Sequence, residues 1–219
     1  MTESIKSIAN SNFLRFKSYE GSEHIATESS QENLLTILKS LQPEDVLDFG
    51  AGIGTLSALV LDNSKANICA VEKNKWCSDQ FTAHMLPSNR ITLTQAIPIN
   101  KHFDLYIIDD SISIGEVCKI FKGGKKTFAL FIEGRRSSTI AKFSFFSIFY
   151  KYSCLYVVGE SRLDLYGNSL IEKAGSTFYF SKNSLPATIL SYFKRFKKTG
   201  DLRQAIYYTK STIRNKKVW

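Results

Sequence analysis

The segment Val46-Leu47-Asp48-Phe49-Gly50-Ala51-Gly52-Ile53-Gly54 constrains the chain more than any other. A short, largely apolar run leads straight into three glycines at alternate positions, and residues 55–61 open a helix directly behind them. Missing side chains let the backbone turn sharply at a strand end and approach a bound molecule closely. Strand, glycine turn and helix in this order predict an α/β unit on a parallel sheet, with a ligand at the carboxyl end of the strand.

The remaining sequence repeats the alternation. Residues 30–41 place Leu34, Leu35, Ile37, Leu38 and Leu41 on one helical stripe behind a Ser-x-Glu start, and Pro43 stops it. Residues 68–71 read as a second strand, 74–85 as a helix, 90–94 as a third strand and 103–108 as a fourth. The fourth is almost continuously apolar, as a central parallel strand is. A helix over 113–121, a turn at 122–125, a fifth strand over 127–132 and a Phe-rich helix over 137–150 follow. Two β-rich runs, 154–160 and 176–181, would close the sheet as an antiparallel pair. The expected fold is α/β and Rossmann-like: a seven-stranded, mostly parallel sheet with helices on both faces, an antiparallel last pair and a basic helical appendage. Residues 1–184 are expected to form one domain, with 1–43 as an N-terminal cap and first helix, and 185–219 as a basic, aromatic extension.

Charge is unevenly distributed. Residues 1–110 carry 9 Lys and Arg against 14 Asp and Glu, whereas residues 111–219 carry 20 against 6, so the halves are −5 and +14. Such asymmetry points to an anionic partner near the C-terminal half. Residues 191–219 alone hold 9 basic residues and 1 Asp, with Ile189, Phe193 and Phe196 on one helical face beside Lys194, Arg195, Lys197 and Lys198. The first twenty residues are polar and charged, so no cleavable signal is expected. The longest nearly apolar run, 143–150, is far short of the roughly 20 residues of a membrane span. A cytoplasmic protein is expected, with the inner membrane face as a further location. Cys69, Cys77, Cys118 and Cys154 lie apart, without zinc-site pairs, and read as buried thiols.

The glycine spacing is G-x-G-x-G, tighter than the G-x-G-x-x-G dinucleotide fingerprint, and no G-x-x-x-x-G-K-[ST] phosphate loop occurs in the chain. Glu72 ends the second strand, where a carboxylate can accept hydrogen bonds from both hydroxyls of a ribose. The run 21–110 therefore resembles the class I S-adenosylmethionine-dependent methyltransferases, about two-fifths of the chain. The resemblance implies S-adenosylmethionine as cofactor and S-adenosylhomocysteine as product. It implies Asp48 near the amino-acid moiety, Gly50, Ala51, Gly52 and Gly54 in the loop beneath it, and Glu72 on the ribose with Lys73 beside it. Gln95-Ala96 stands where the family has Asp-Ala near the adenine, and Asp109 is also placed at the cofactor.

The segment Phe103-Asp104-Leu105-Tyr106-Ile107-Ile108-Asp109 looks like the F-D-x-x-F-I-D segment of the small-molecule O-methyltransferases related to catechol and caffeoyl-CoA enzymes. In the metal-dependent members Asp109 would be one ligand and an Asp-Asn pair after the fifth strand would supply two more. This chain has Glu133-Gly134-Arg135 there, and Gly134 has no amide oxygen to offer, so transfer without a metal is expected. Asp109 and Asp110 at the end of the fourth strand are candidate catalytic groups, with His24 as a further base. Arg135 and Arg136 are candidates for holding an acidic substrate group through bidentate contacts.

Asp109-Asp110-Ser111-Ile112 replaces the [DNS]-P-P-[YF] motif of enzymes that methylate amino groups of bases and glutamine. The expected acceptor is an oxygen on a small molecule or glycan, with the 185–219 tail against an acidic carrier or a membrane surface. The alternatives are an RNA methyltransferase, whose basic half neutralises phosphates, and a non-catalytic binding protein that keeps the fold.

Overall fold

The computed structural model describes residues 4–99, 101–123, 127–134, 138–139 and 142–143, together with the backbone of two strands at 153–158 and 177–181. Five parallel strands make the frame: β1 (Asp45–Phe49), β2 (Asn67–Val71), β3 (Ile91–Thr94), β4 (Leu105–Ile108) and β5 (Thr127–Ile132), in spatial order β3-β2-β1-β4-β5. Further along the chain lie two backbone strand segments, β6 (Ser153–Val158) and β7 (Thr177–Ser181). Residues 138–139 and 142–143 are helical, and the rest of the expected 137–150 helix lies outside the described residues, as does the 185–219 tail.

Strand alternation sorts the core into two faces. Val46, Ala70, Leu105, Ile107 and Phe131 pack with α2 (Glu28–Leu41), α3 (Thr55–Asn63) and α4 (Lys75–Met85) on one face. Leu47, Phe49, Tyr106, Ile108 and Leu130 pack with α5 (Ile114–Gly123) on the other. The chain winds outward from β1 through β2 to β3, then returns to β4 on the far side of β1 and winds the opposite way. Right-handed crossovers put the helices of these two halves on opposite faces. The reversal between β1 and β4 is the switch point at which such sheets open a crevice beyond their carboxyl ends.

Two local readings are corrected. The helix expected from residue 30 starts at Glu28, because the Thr27 hydroxyl, not that of Ser30, caps it by accepting from the Ser30 N–H at 3.2 Å. Ser30 is instead fully buried and donates to Glu133 Oε1 at 3.0 Å. The polar first twenty residues, expected to form part of a cap, contain a full helix, α1 (Ile5–Lys17), whose buried face is Ala9, Asn12 and Phe16. Asn12 interrupts the apolar stripe, yet its amide is satisfied in the core: it donates to Gln31 Oε1 at 2.8 Å and to the Thr55 carbonyl at 3.1 Å. Gln31 in turn donates to the Ala26 carbonyl at 3.0 Å. Tyr19, just beyond α1, stacks on His84 of α4 with ring centroids 4.0 Å apart.

Asn12→Ala removes the buried donor shared by Gln31 Oε1 and the Thr55 carbonyl and is expected to cost about 2 kcal/mol. The unfolding midpoint should fall by roughly 4–8 °C, and a midpoint within a degree of the parent would show that α1 is held without this amide. Among the described residues no helix is long and apolar enough to cross a membrane.

Candidate functional site

A cavity of about 450 Å³ opens at the switch point. Its floor is Asp48, Gly50, Ala51, Gly52 and Ile53 at the end of β1, with Thr55 and Leu56 from the first turn of α3. Asp109 from the end of β4 makes one wall, Trp76 and Cys77 at the start of α4 another. The segment Glu20 to Ala26, including a short 3-10 turn over Ser22–His24, covers the remaining side and carries Glu23 and His24.

Alternation along β1 points Asp48 toward α3, the same face as Val46. Its carboxyl is fully buried; Oδ2 accepts from the Ser57 hydroxyl at 2.6 Å, and Oδ1 has no hydrogen-bond partner among the described residues. Burial pushes the Asp48 carboxyl up to about 6, with the Ser57 hydrogen bond opposing the rise and the nearby Glu72 charge adding to it. An unpaired buried carboxylate oxygen on a residue that lines a cavity is a strong acceptor without a donor.

The three glycines do different work. A Cβ on Gly50 would lie 2.5 Å from Asp110 Cβ and 2.9 Å from the Asp110 nitrogen, so the β1 and β4 ends meet only because position 50 lacks one. A Cβ on Gly52 would meet nothing within 4 Å, in the cavity floor. At Gly54 the missing Cβ makes room for Met85 and Phe81 of α4, so this residue serves helix packing and does not line the cavity.

Glu72 holds the loop itself: Oε2 accepts from the Gly52 N–H at 2.8 Å and Oε1 from the Asn74 N–H at 2.7 Å. Lys73, one residue on, faces away. Its Nζ pairs with Glu116 Oε1 at 2.7 Å and sits 5.2 Å from the centre of the Phe49 ring, on the α5 side of the sheet. Glu116 also caps α5 reciprocally, accepting from the Ser113 N–H while the Ser113 hydroxyl accepts from its own N–H. These contacts, led by the Lys73 hydrogen bond, outweigh burial and hold the Glu116 carboxyl below its ordinary range.

Of the residues singled out from the sequence, Asp48, Gly50, Ala51, Gly52, Asp109 and His24 come together around one cavity. Gly54, Glu72, Lys73, Gln95, Ala96 and Asp110 do not line it, and Gln95, Ala96 and Asp110 are exposed. Asp110 Oδ1 accepts from the N–H of Ser111. Arg135 and Arg136 lie outside the described residues. Among the described residues, no three His, Cys, Asp or Glu side chains are grouped to hold a metal ion. Cys69 is a buried thiol as expected, but Cys77 and Cys118 are only half-buried, and Cys77 borders the cavity.

Sequence reasoning missed Trp76 and Cys77. Their signal was position: they open the helix that follows Glu72, on the edge where the glycine loop ends. Trp76 is 40% exposed, unusual for so large an aromatic, and its ring fills the space over Gly21 where a Cβ would be 2.5 Å away.

No protein-family model matches the sequence, and no curated protein matches it. Among solved structures, the chain is similar to Thermoplasma acidophilum 1320 at 11% identity and a TM-score of 0.46, over 69% of this chain and 72% of that one. It is similar to the SAH-bound methyltransferase PaMTH1 of Podospora anserina at 10% identity and a TM-score of 0.43, over 69% and 61% of the two chains. It is also similar to the glycopeptide N-methyltransferase MtfA complexed with S-adenosylmethionine, at 15% identity and a TM-score of 0.42, over 67% and 55%.

Proposed function

We propose that the chain is a class I S-adenosylmethionine-dependent methyltransferase that transfers to an oxygen of a small-molecule or glycan acceptor without a metal. The observation that carries this reading is Asp48 Oδ1, buried and unpaired beneath a glycine turn at the switch point. The cofactor's α-ammonium group is the donor this oxygen suits, as a charge-assisted hydrogen bond. Gly52 supplies a floor with no side chain in the way. Glu72 accepts two backbone N–H bonds, and a carboxylate has capacity for about four, which leaves room for the ribose hydroxyls. The cavity's volume falls within the range of small-ligand sites, about 300–1,000 Å³. The sheet, on this reading, is completed to seven strands by the antiparallel β6–β7 pair.

The cofactor supplies a methyl group on a sulfonium, whose thioether leaves without acid assistance, so alignment of the acceptor is the protein's main task. Asp109, across the cavity from the glycine floor, is the base that takes the hydroxyl proton as the oxygen gains its methyl group. His24 on the covering segment is the second candidate for that proton. Arg135 and Arg136 are proposed to hold an acidic acceptor group, and Gln95 and Ala96 to border the nucleoside end, whereas Lys73 is committed to Glu116 on the far side of the sheet. Glu133 is already committed to Ser30, and Gly134 offers no side-chain ligand, which supports transfer without a metal.

The proposed domain plan keeps 1–184 as the methyltransferase and 185–219 as a basic extension for an acidic carrier or the inner membrane face. The +14 balance of residues 111–219 is the observation that favours RNA as the rival acceptor. RNA binding that weakens steeply with salt, together with methylation of RNA but of no small hydroxyl compound, would move the assignment there.

Calorimetric titration of the full chain with S-adenosylmethionine tests the reading directly. Binding is expected, with a loss of at least tenfold in Glu72→Ala and in Gly52→Val. Absence of binding by the parent chain would leave a non-catalytic protein of this fold, and unchanged affinity in both variants would refute the loop assignment.

A further inference from the structure

A second hollow, of about 210 Å³, lies on the α5 face of the sheet beside β4. Three of the parallel crossovers carry a helix, but residues 95–104 between β3 and β4 carry none among those described. The sheet face that a crossover helix would cover is left as a trough between this segment and the last turns of α5. Ile97, Pro98, Ile120 and the ring of Tyr106 give it an apolar floor. Lys101 from the crossover and Lys119 and Lys122 from α5 line its rim, and among the described residues no acidic one does. Lys101 lies 3.7 Å from Asp45 Oδ1, at the first residue of β1. Among the described residues, neither Lys119 nor Lys122 is paired with a carboxylate. Ile99 stands beside them 77% exposed, a large apolar side chain held in water at the mouth of a hollow.

Three like charges around one small hollow repel one another, and the cost is recovered when a polyanion occupies it. Lysine ammonium groups are compact point charges suited to phosphate oxygens. The floor and Ile99 suit the apolar or planar body that carries the phosphate. Neutralising the C-terminal carbonyls of α5 accounts for Lys119 and Lys122, and Asp45 with the Phe103 ring 5.2 Å away accounts for Lys101, but neither accounts for the convergence of all three on one hollow or for Ile99.

We propose that the trough between residues 97–101 and α5 is a second ligand site, which binds a phosphate-bearing group attached to an apolar body. The site stands apart from the methyl-transfer reading. Tyr106 on its floor and Asp109 in the β1–β4 cavity are three residues apart along the chain, about 10 Å of strand length, and the two linings share no residue, so either assignment can fail without the other.

The test titrates the full chain with inorganic pyrophosphate, and in parallel sediments it with phosphatidylcholine vesicles with and without phosphatidic acid. The variant pair is Lys119→Gln with Lys122→Gln, which removes charge from two exposed helix positions without placing negative charge against the helix end. The control pair is Lys39→Gln with Lys65→Gln, two exposed residues that do not line the trough. Pyrophosphate binding that weakens at least tenfold in the pocket pair, and holds in the control pair, assigns a free phosphorylated ligand. The same discrimination confined to phosphatidic acid vesicles assigns a lipid headgroup as the source of the phosphate. No binding in either arm, equal binding by parent and pocket variant in both, or equal loss in both pairs, overturns the site. Near-ultraviolet circular dichroism and S-adenosylmethionine titration of each variant verify that the fold is intact.

Discussion

Gly50→Ala is expected to lower the stability of the chain by about 3 kcal/mol, the largest effect of any single methyl group in the loop. Two costs add. Position 50 has φ +81°, where an L side chain meets its own backbone, at roughly 1–2 kcal/mol. The new Cβ would also stand 2.5 Å from Asp110 Cβ and 3.0 Å from the Asp109 carbonyl carbon, and relief requires the β4 end to move. Overpacking of this kind costs about 1–3 kcal/mol. Asp109 moves with that backbone, so ligand binding should weaken together with the midpoint, which is expected to fall by roughly 6–12 °C. Gly52→Ala provides the contrast. Its φ of +56° carries the conformational cost alone, and its Cβ finds open space, so about 1 kcal/mol is expected. Thermal unfolding of the two alanine variants checks the pair, and equal losses would show that the contact with Asp110 has no energetic weight.

Asp48→Asn is expected to separate stability from binding. The folded-state pKa of Asp48, about 6, lies above its ordinary value of 3.8, so the native chain holds more proton between these limits. Its stability contribution therefore falls as pH rises from about 4 to about 6 and stays low above that. The ionised carboxylate disfavours the empty fold by on the order of 3 kcal/mol at neutral pH. Asparagine keeps an acceptor for Ser57 and carries no charge. The stability difference between variant and parent should thus swing toward asparagine by about 3 kcal/mol between pH 4 and pH 7.5. Affinity for S-adenosylmethionine should move the other way, falling about 10- to 100-fold at pH 7.5 with loss of a charge-assisted hydrogen bond. Urea unfolding at the two pH values reads the first, and calorimetry the second. A difference that does not change with pH would show that Asp48 is not held ionised against its burial.

The legible parts of the fold are those specified by neighbours in the chain. The glycine turn, the fourth strand and the α2 stripe each follow from a few consecutive residues, although the strand begins at Leu105 and not at residue 103, and Leu41 at the end of the stripe is exposed. Thr27 and Ser30 are both hydroxyl residues near one helix start, and only the burial of Ser30 against Glu133 decides which one caps it. The α1 stripe was hidden by Asn12, whose polarity is harmless only because Gln31 and Thr55 meet it across the fold. Glu72 and Lys73 read as a pair in sequence, but successive residues at a strand end point to opposite faces, toward Gly52 and toward α5 respectively.

The sequence by itself determined the β1-glycine-α3 unit and the acidic residue after β2, because strand, turn and helix chemistry are local. It also determined the strongly basic second half. Only the tertiary structure decided which side chains share a cavity. Residues 20–26, 48–56, 76–77 and 109 converge because the winding reverses between β1 and β4, and Trp76 enters that cavity while Lys73 leaves it. Packing likewise brings Lys101, Lys119 and Lys122 around one trough, since residues far apart in a chain meet only where tertiary structure puts them.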